Sequence, residues 1–401
     1  MMDMQSNRDL SSPDIMDRDH AYIAGTYGRL PVVMVSGQGA RCTDAEGNSY
    51  LDLTAGIGVN ALGFCDPEWA AAVAGQAATL QHASNLFYTA PCGQAAETLC
   101  KRTGAKKVFF CNSGAEANEG AIKAARKYSF ARYGQARSTI VTLVNSFHGR
   151  TVTTLSATGQ EHFHQYFFPF TEGFAYAIAN DLEDTLAKLS SADVCALMLE
   201  PVQGEGGVVA LDPGYVSAVA SYCKENDILL IVDEVQTGMG RTGTLFAYQQ
   251  FGVLPDIVSC AKGLGGGLPI GAVLLFEKAQ ESLLSGDHGS TFGGNPVCCA
   301  GANAVLSRLD GPFLAEVAAK GAYLKAKLEA LPRVKSVSGL GMMLGVEFDS
   351  LEAKAVQMEC IRAGLLTLTA KTKLRLLPPL TITMAEADEA LSILEQVLSR
   401  M

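Results

Sequence analysis

None of the 11 cysteines is spaced as C-x-x-C, and their odd number cannot close into a complete disulfide framework. That leaves no zinc-ribbon or redox-motif signature. Several of the thiols (Cys195, Cys260, Cys298, Cys299) lie inside apolar runs, where free cysteine packs as a small hydrophobe, so a reducing compartment is expected. The six histidines supply no metal spacing either. His162 and His164 could share one side of a strand, but no third ligand lies near them in sequence, and a solvated face accounts for both. Positive charge is scarce: 31 Lys and Arg against 41 Asp and Glu leave a formal charge of −10. This argues against nucleic acid or an anionic membrane as the main partner, though not against a small anion in a local basic pocket. No stretch approaches the ~18 uninterrupted apolar residues of a membrane span. The first twenty residues lack both the apolar core of a signal peptide and the basic, acid-poor bias of a transit peptide. They are expected to be loose, and the protein to be soluble and cytoplasmic.

What is present is a large core and many tight turns. The 401 residues are 48% hydrophobic and 18% charged, with 41 glycines. Residues 32–53 alternate strand-like runs with turn signals and predict a small antiparallel meander. Helices are expected over 67–80 and 91–102. Strand candidates then recur at 108–111, 139–145, 174–179, 195–200, 228–232, 257–261 and 272–276, with helices at 115–133 and 215–226 among the segments between them. Such alternation predicts a mostly parallel seven-stranded α/β/α sheet. After residue 300 the style changes to helices at 312–331 and 351–363, strands in VKSVSGLGMMLGVEF, LLTLTA and KLRLLPP, and a last helix opened by a Thr383/Glu386 capping box. The division expected is 1–60 as an N-terminal segment and meander packing with the small domain, 61–300 as the large domain, and 301–401 as a small α+β domain.

Chemistry-bearing residues recur at strand ends. Asp233 follows one buried-strand run and Lys262 another, so both are expected on the carboxyl rim of the sheet, where ligands of such folds bind. An amine able to form a Schiff base, with an acid able to hold a protonated pyridine nitrogen, would suit pyridoxal phosphate; each alone would pass as a solvated charge. Ser113, Gly114 and Ala115 open a helix whose free amides suit a phosphate, or form an ordinary capped start with Glu116 closing a capping box. Phe147 could stack on a ring and Arg150 grip a carboxylate, or they could be a core lid and a surface ion-pair member. Glu205 in EPVQGEGG, Ser290 and Thr291 in GSTFGGNP, and Arg375 in an apolar strand are individually weak. Together they are hard to reach by chance.

The ordered set NSGAEANE, FHGR, EPVQGEGG, DEVQTGMGRTG, SCAKGLGGG and GSTFGGNP resembles the class III aminotransferases over nearly the whole chain. That resemblance implies fold type I with pyridoxal 5′-phosphate as cofactor, and a homodimer with shared active sites. It implies that Lys262 binds the cofactor covalently and moves the proton, and that Asp233 keeps the ring nitrogen protonated. Gln236 would bond the phenolic oxygen, and Val235 and Phe147 would cover the ring faces. Ser113, Gly114 and Ala115 would hold the phosphate, joined by Thr291 and Ser290 reaching into the partner's site. Arg150 would take the substrate carboxylate, while Glu205 pairs with Arg375 or releases it according to the substrate. The motifs TYGRLP, DAEGNSYLDLTAGIGVNALG and FHGR point, within the class, to transfer from N2-acetylornithine to 2-oxoglutarate. Succinylornithine, N-succinyldiaminopimelate, ornithine and 4-aminobutyrate are rival donors. The loop Gly63–Pro67 lacks two histidines common in relatives, Ala115 replaces a frequent threonine, and the region around Ile57 and Gly58 lacks an aromatic pair associated with free ornithine. A nucleotide-binding protein is the reading from another class, but no loop is G-x-G-x-x-G after a first strand.

Overall fold

A computed structural model describes residues 11–401. The seven strand candidates form one sheet: β1 Lys107–Cys111, β2 Thr139–Leu143, β3 Phe174–Ala177, β4 Val194–Leu199, β5 Leu229–Asp233, β6 Ile257–Cys260 and β7 Gly271–Leu275, in the order β1-β7-β6-β5-β4-β2-β3. β7 runs antiparallel to β6 and β1, and the other pairings are parallel. Every residue of β4 to β7 is buried, as near-continuous apolar strands must be when helices cover both faces. The alternation of β5 shows how. Leu229 and Ile231 pack with Ala117 and Ala121 of the helix Gly114–Tyr133, whereas Leu230 and Val232 pack with Val216 and Val219 of the helix Pro213–Glu225.

Two smaller sheets account for the strands at the chain's ends. The meander Met34–Gln38, Arg41–Asp44 and Ser49–Asp52 does not close on itself. Leu365–Leu366 pairs parallel with Ser49–Asp52. Arg41 adds an ion pair to Glu389, 348 residues away in sequence, with one N–O distance of 3.1 Å. The other sheet contains Val334–Leu340, Met343–Phe348, Lys373–Leu376 and Leu368–Ala370. Its first turn needs Gly341, at φ +54°, where a Cβ would lie 2.5 Å from the Thr242 backbone. LLTLTA, expected as one strand, is therefore two. Buried Thr367 separates them, its carbonyl accepting from Gln357 Nε2 at 2.7 Å, and the chain steps there from one sheet to the next.

Part of the N-terminal expectation fails. Ser12–Tyr22 is a helix, because Ser11 and Asp14 complete a capping box and Pro13 sits in the first turn. The rest of the stretch expected to be loose, residues 1–10, lies outside the described residues. The capping box opening Met384–Arg400 is formed as expected, with Thr383 and Glu386 exchanging bonds of 2.9 and 3.2 Å. His162 and His164 lie on a 3-10 turn, Glu161–Phe163 and its cap, and not on a strand.

Candidate active site

Asp233 and Lys262 follow from the sheet register. β5 and β6 are parallel neighbours with Asp233 opposite Ser259, so both strands end on the same rim. Beyond them lies a cavity of about 450 Å3. Among its walls are Ser113, Gly114, Ala115, Phe147, Arg150, Asp233, Val235, Gln236 and Lys262, nine of the site residues singled out in the sequence.

Asp233 is 3% exposed. Its Oδ2 accepts from His148 Nδ1 at 2.8 Å and from Asn118 Nδ2 at 2.7 Å, and its Oδ1 accepts from the Val235 amide at 3.0 Å. A carboxylate can only accept, so His148 must carry its proton on Nδ1. Its buried Nε2 has no partner among the described residues. Asn118 is fixed in turn: its Nδ2 also reaches His148 O at 2.7 Å, and its Oδ1 accepts from Ser259 Oγ at 2.5 Å. Glu200 closes the back of the site, taking the Phe147 amide at 2.9 Å. Burial raises its carboxyl, and the neighbouring Asp233 carboxylate adds to that shift.

Lys262 sits in left-handed backbone, φ +42°, a conformation that a residue with a Cβ adopts at some cost. Desolvation holds its amine below the usual lysine value, against the pull of Glu205 and with the push of Arg375. Those two residues form the pair beside it. Arg375 NH1 meets Glu205 Oε1 at 2.6 Å, NH2 meets Oε2 at 3.3 Å, and NH1 also donates to Gln236 Oε1 at 3.1 Å. Burial raises the Glu205 carboxyl, but the Arg375 charge and hydrogen bonds outweigh it and leave the group below the usual range.

At the start of Gly114–Tyr133, Ser113 Oγ accepts the Glu116 amide at 3.2 Å. The return half of the expected capping box is missing. The Glu116 carboxylate takes the amide and side chain of Asn112 instead, both at 2.8 Å. The amides of Gly114 and Ala115, in the first turn, find no acceptor among the described residues. A Cβ on Gly114 would lie 2.7 Å from Val235 Cγ1, so the two walls touch only because this residue has no side chain.

Ser290 and Thr291 are not brought to this cavity. Thr291 is exposed and lines a separate hollow with Phe292, Phe87 and Tyr88. Ser290 Oγ is engaged locally, accepting the Gly293 amide at 2.9 Å and Asn112 Nδ2 at 3.1 Å. Sequence reasoning missed Asn118, His148 and Glu200. All three stand inside quoted motifs. Asn118 lies one helical turn after Gly114, which was the available signal.

The geometry fits a planar ring with a basic nitrogen at one end and an anion at the other. Residues 22–398 match the model of the Aminotransferase class-III family, and the chain belongs to that family. It is therefore an aminotransferase. Among its relatives, the acetylornithine aminotransferase of Haemophilus ducreyi is 57% identical over 393 residues, covering 98% of this chain and 100% of that one. The acetylornithine aminotransferase of Methanocaldococcus jannaschii is 44% identical, covering 98% and 100%. Of solved structures, ornithine aminotransferase from Toxoplasma gondii superposes with a TM-score of 0.94 at 33% identity, covering 100% and 99%. N-acetylornithine aminotransferase from Stenotrophomonas maltophilia gives 0.82 at 38%, covering 96% and 98%. A second structure of the Toxoplasma enzyme carries PLP at partial occupancy in its active site.

Proposed function

We propose that this chain uses pyridoxal 5′-phosphate to transfer the δ-amino group of N2-acetylornithine to 2-oxoglutarate, giving N-acetylglutamate 5-semialdehyde and glutamate, a step of arginine biosynthesis. The observation that carries the reading is the 57% identity to an acetylornithine aminotransferase over nearly the full length of both chains, together with the Asp233–Lys262 rim. When bound, pyridoxal phosphate supplies a conjugated sink for the electron pair left as the substrate carbon loses its proton.

The chain's own residues do the rest. Ser113 and the free amides of Gly114 and Ala115 bind the phosphate at a helix start. Asp233, held by His148 and Asn118, keeps a proton on the ring nitrogen. Val235 and Phe147 pack on the ring faces. Gln236 accepts from Arg375 through Oε1 and donates to Glu205 through its amide nitrogen, whose second N–H would serve the phenolic oxygen. Lys262, freed of part of its proton affinity by desolvation, would hold the cofactor through its amine and serve as the proton carrier. Arg150 binds the donor's carboxylate. In this reading residues 61–300 hold the cofactor and residues 301–401 deliver Arg375.

Glu205 and Arg375 form the gate. One pocket must hide a cation while the distal amine of N2-acetylornithine reacts and expose it to the α-carboxylate of glutamate. A movable pair does both without leaving an unpaired buried charge, which costs about 3–5 kcal/mol. We further read the chain as a cytoplasmic homodimer in which Thr291 and Ser290 reach the partner's cofactor. The exposure of Leu86 (86%), Phe87 (70%), Tyr88 (107%) and Phe292 (61%) supports a covered face there.

Free ornithine is the second reading, favoured by the TM-score of 0.94 to an ornithine aminotransferase. A donor panel separates the two by kcat/KM. Preference for ornithine or 4-aminobutyrate sinks the first reading, and a colourless protein whose spectrum is unaffected by Lys262→Ala sinks both.

A further inference from the structure

Arg150 stands at the cavity wall, exposed, with no hydrogen bond or ion pair to any described residue. What it has is two aromatic faces: its guanidinium carbon lies 4.1 Å from the Phe163 ring centroid and 5.5 Å from that of Phe147. The two rings meet edge to face, centroids 6.0 Å apart at 65°. Phe163 ends the 3-10 turn Glu161–Phe163, and that turn is tied down on both sides. Gln160 Nε2 donates to Ser146 O at 3.0 Å, just before Phe147, and His164 Nε2 lies 2.9 Å from Leu155 O. The His162 ring buttresses Phe163 at 3.8 Å.

We propose that Phe163 is a positioning residue that brackets the Arg150 guanidinium against Phe147 and pre-orders it for the substrate carboxylate. The inference rests on the reading of Arg150 as the carboxylate ligand. A guanidinium is poorly hydrated over its faces and donates only in its plane. The corner made by the two rings therefore covers guanidinium surface without taking up a hydrogen-bond donor, so the N–H groups stay available to an anion, and the rotamer entropy lost on binding is reduced. An acidic neighbour would order the arginine equally well but would compete with the substrate. No such acid is paired with it among the described residues.

The test is the first half-reaction of the holoenzyme, followed by bleaching of the cofactor absorbance. Two amines are compared: N2-acetylornithine, and N-acetyl-1,4-diaminobutane, which has the same chain without the carboxylate. Phe163→Leu keeps bulk and removes the ring. It should raise the half-saturating concentration of N2-acetylornithine about 3- to 30-fold, with the saturating rate and the response to the carboxylate-free amine kept. Phe163→Trp should restore the parent value. In an Arg150→Ala background, Phe163→Leu should add nothing. The proposal is overturned if Phe163→Leu matches the parent, if both amines shift equally, or if the effect persists without Arg150. Should Arg150→Ala itself leave the preference for the carboxylate intact, the assignment of Arg150 has failed and the bracket with it. Should Arg150→Ala abolish that preference while Phe163→Leu changes nothing, only the bracket has failed.

Discussion

Replacing Glu205 by glutamine tests the gate directly. Arg375 is 3% exposed and its guanidinium meets both Glu205 oxygens, while the Glu205 side chain is 31% exposed. Any substrate carboxylate bound at Arg375 must displace that of Glu205. Charge-assisted hydrogen bonds of this kind contribute about 1.5–3 kcal/mol each, and the partial exposure of Glu205 discounts the competition to about 1–2 kcal/mol. Glu205→Gln should accordingly lower KM for glutamate and 2-oxoglutarate about 5- to 30-fold. N2-acetylornithine should lose instead, since it would face an unneutralised guanidinium. A second consequence follows from the charges around Lys262. Glu205 raises its pKa and Arg375 lowers it, so the variant's free amine should persist to lower pH. The acid limb of cofactor uptake by the apoenzyme should move in that direction. Separate half-reaction kinetics with the two amino donors decide the matter. An unchanged or raised KM for glutamate would refute the reasoning.

Three other outcomes are expected. Glu234 is buried, bonded by Thr237 Oγ1 at 2.5 Å and the Tyr248 amide at 2.7 Å, and burial lifts its carboxyl to about 7. The folded state then holds a proton that the unfolded chain releases near 4.5, so stability should fall as pH rises from about 4.5 to 7. Glu234→Gln should flatten this slope in thermal melts, and a variant with the parent's slope would contradict it. Arg241 is buried, donating to Met342 O at 3.2 Å and to Pro378 O, and its charge stabilises the Asp52 carboxylate. Arg241→Met leaves those carbonyls unpaired and should cost about 3 kcal/mol or more in denaturant titration; an unchanged midpoint would count against it. Gly114→Ala puts a methyl against Val235 and should weaken cofactor binding about 5- to 150-fold, the equivalent of about 1–3 kcal/mol of overpacking, with the fold kept. Fluorescence titration of the apoenzyme measures this, and parent-like affinity would show that the wall yields.

The sheet was legible because its central strands are buried on both faces and read as apolar runs, such as LLIV before Asp233 and IVSC before Lys262. Strand ends then located the rim. Pairing between distant segments was not legible. Nothing in LLTLTA marks Thr367 as the point where the chain changes sheets, because that depends on Ser49–Asp52 waiting alongside. Within the site, groups that act through hydrogen bonds to another side chain were the ones missed. His148 and Asn118 have no value to the chemistry until Asp233 is placed between them, and spacing alone does not place it. Ser113 and Glu116 fitted a capping box in sequence, yet Asn112 outbid the serine for the carboxylate.

The parallel pairing of Leu365–Leu366 with Ser49–Asp52, reinforced by Arg41 and Glu389, has a cost in time. Residues 34–52 leave the ribosome early and must remain without that edge partner until almost the whole chain has been made. Closure of such long loops slows folding, and unpaired strand edges are exposed to aggregation meanwhile. Truncated or stalled chains lacking the last forty residues should therefore engage chaperones through the meander, although every strand of the large sheet has already been synthesised.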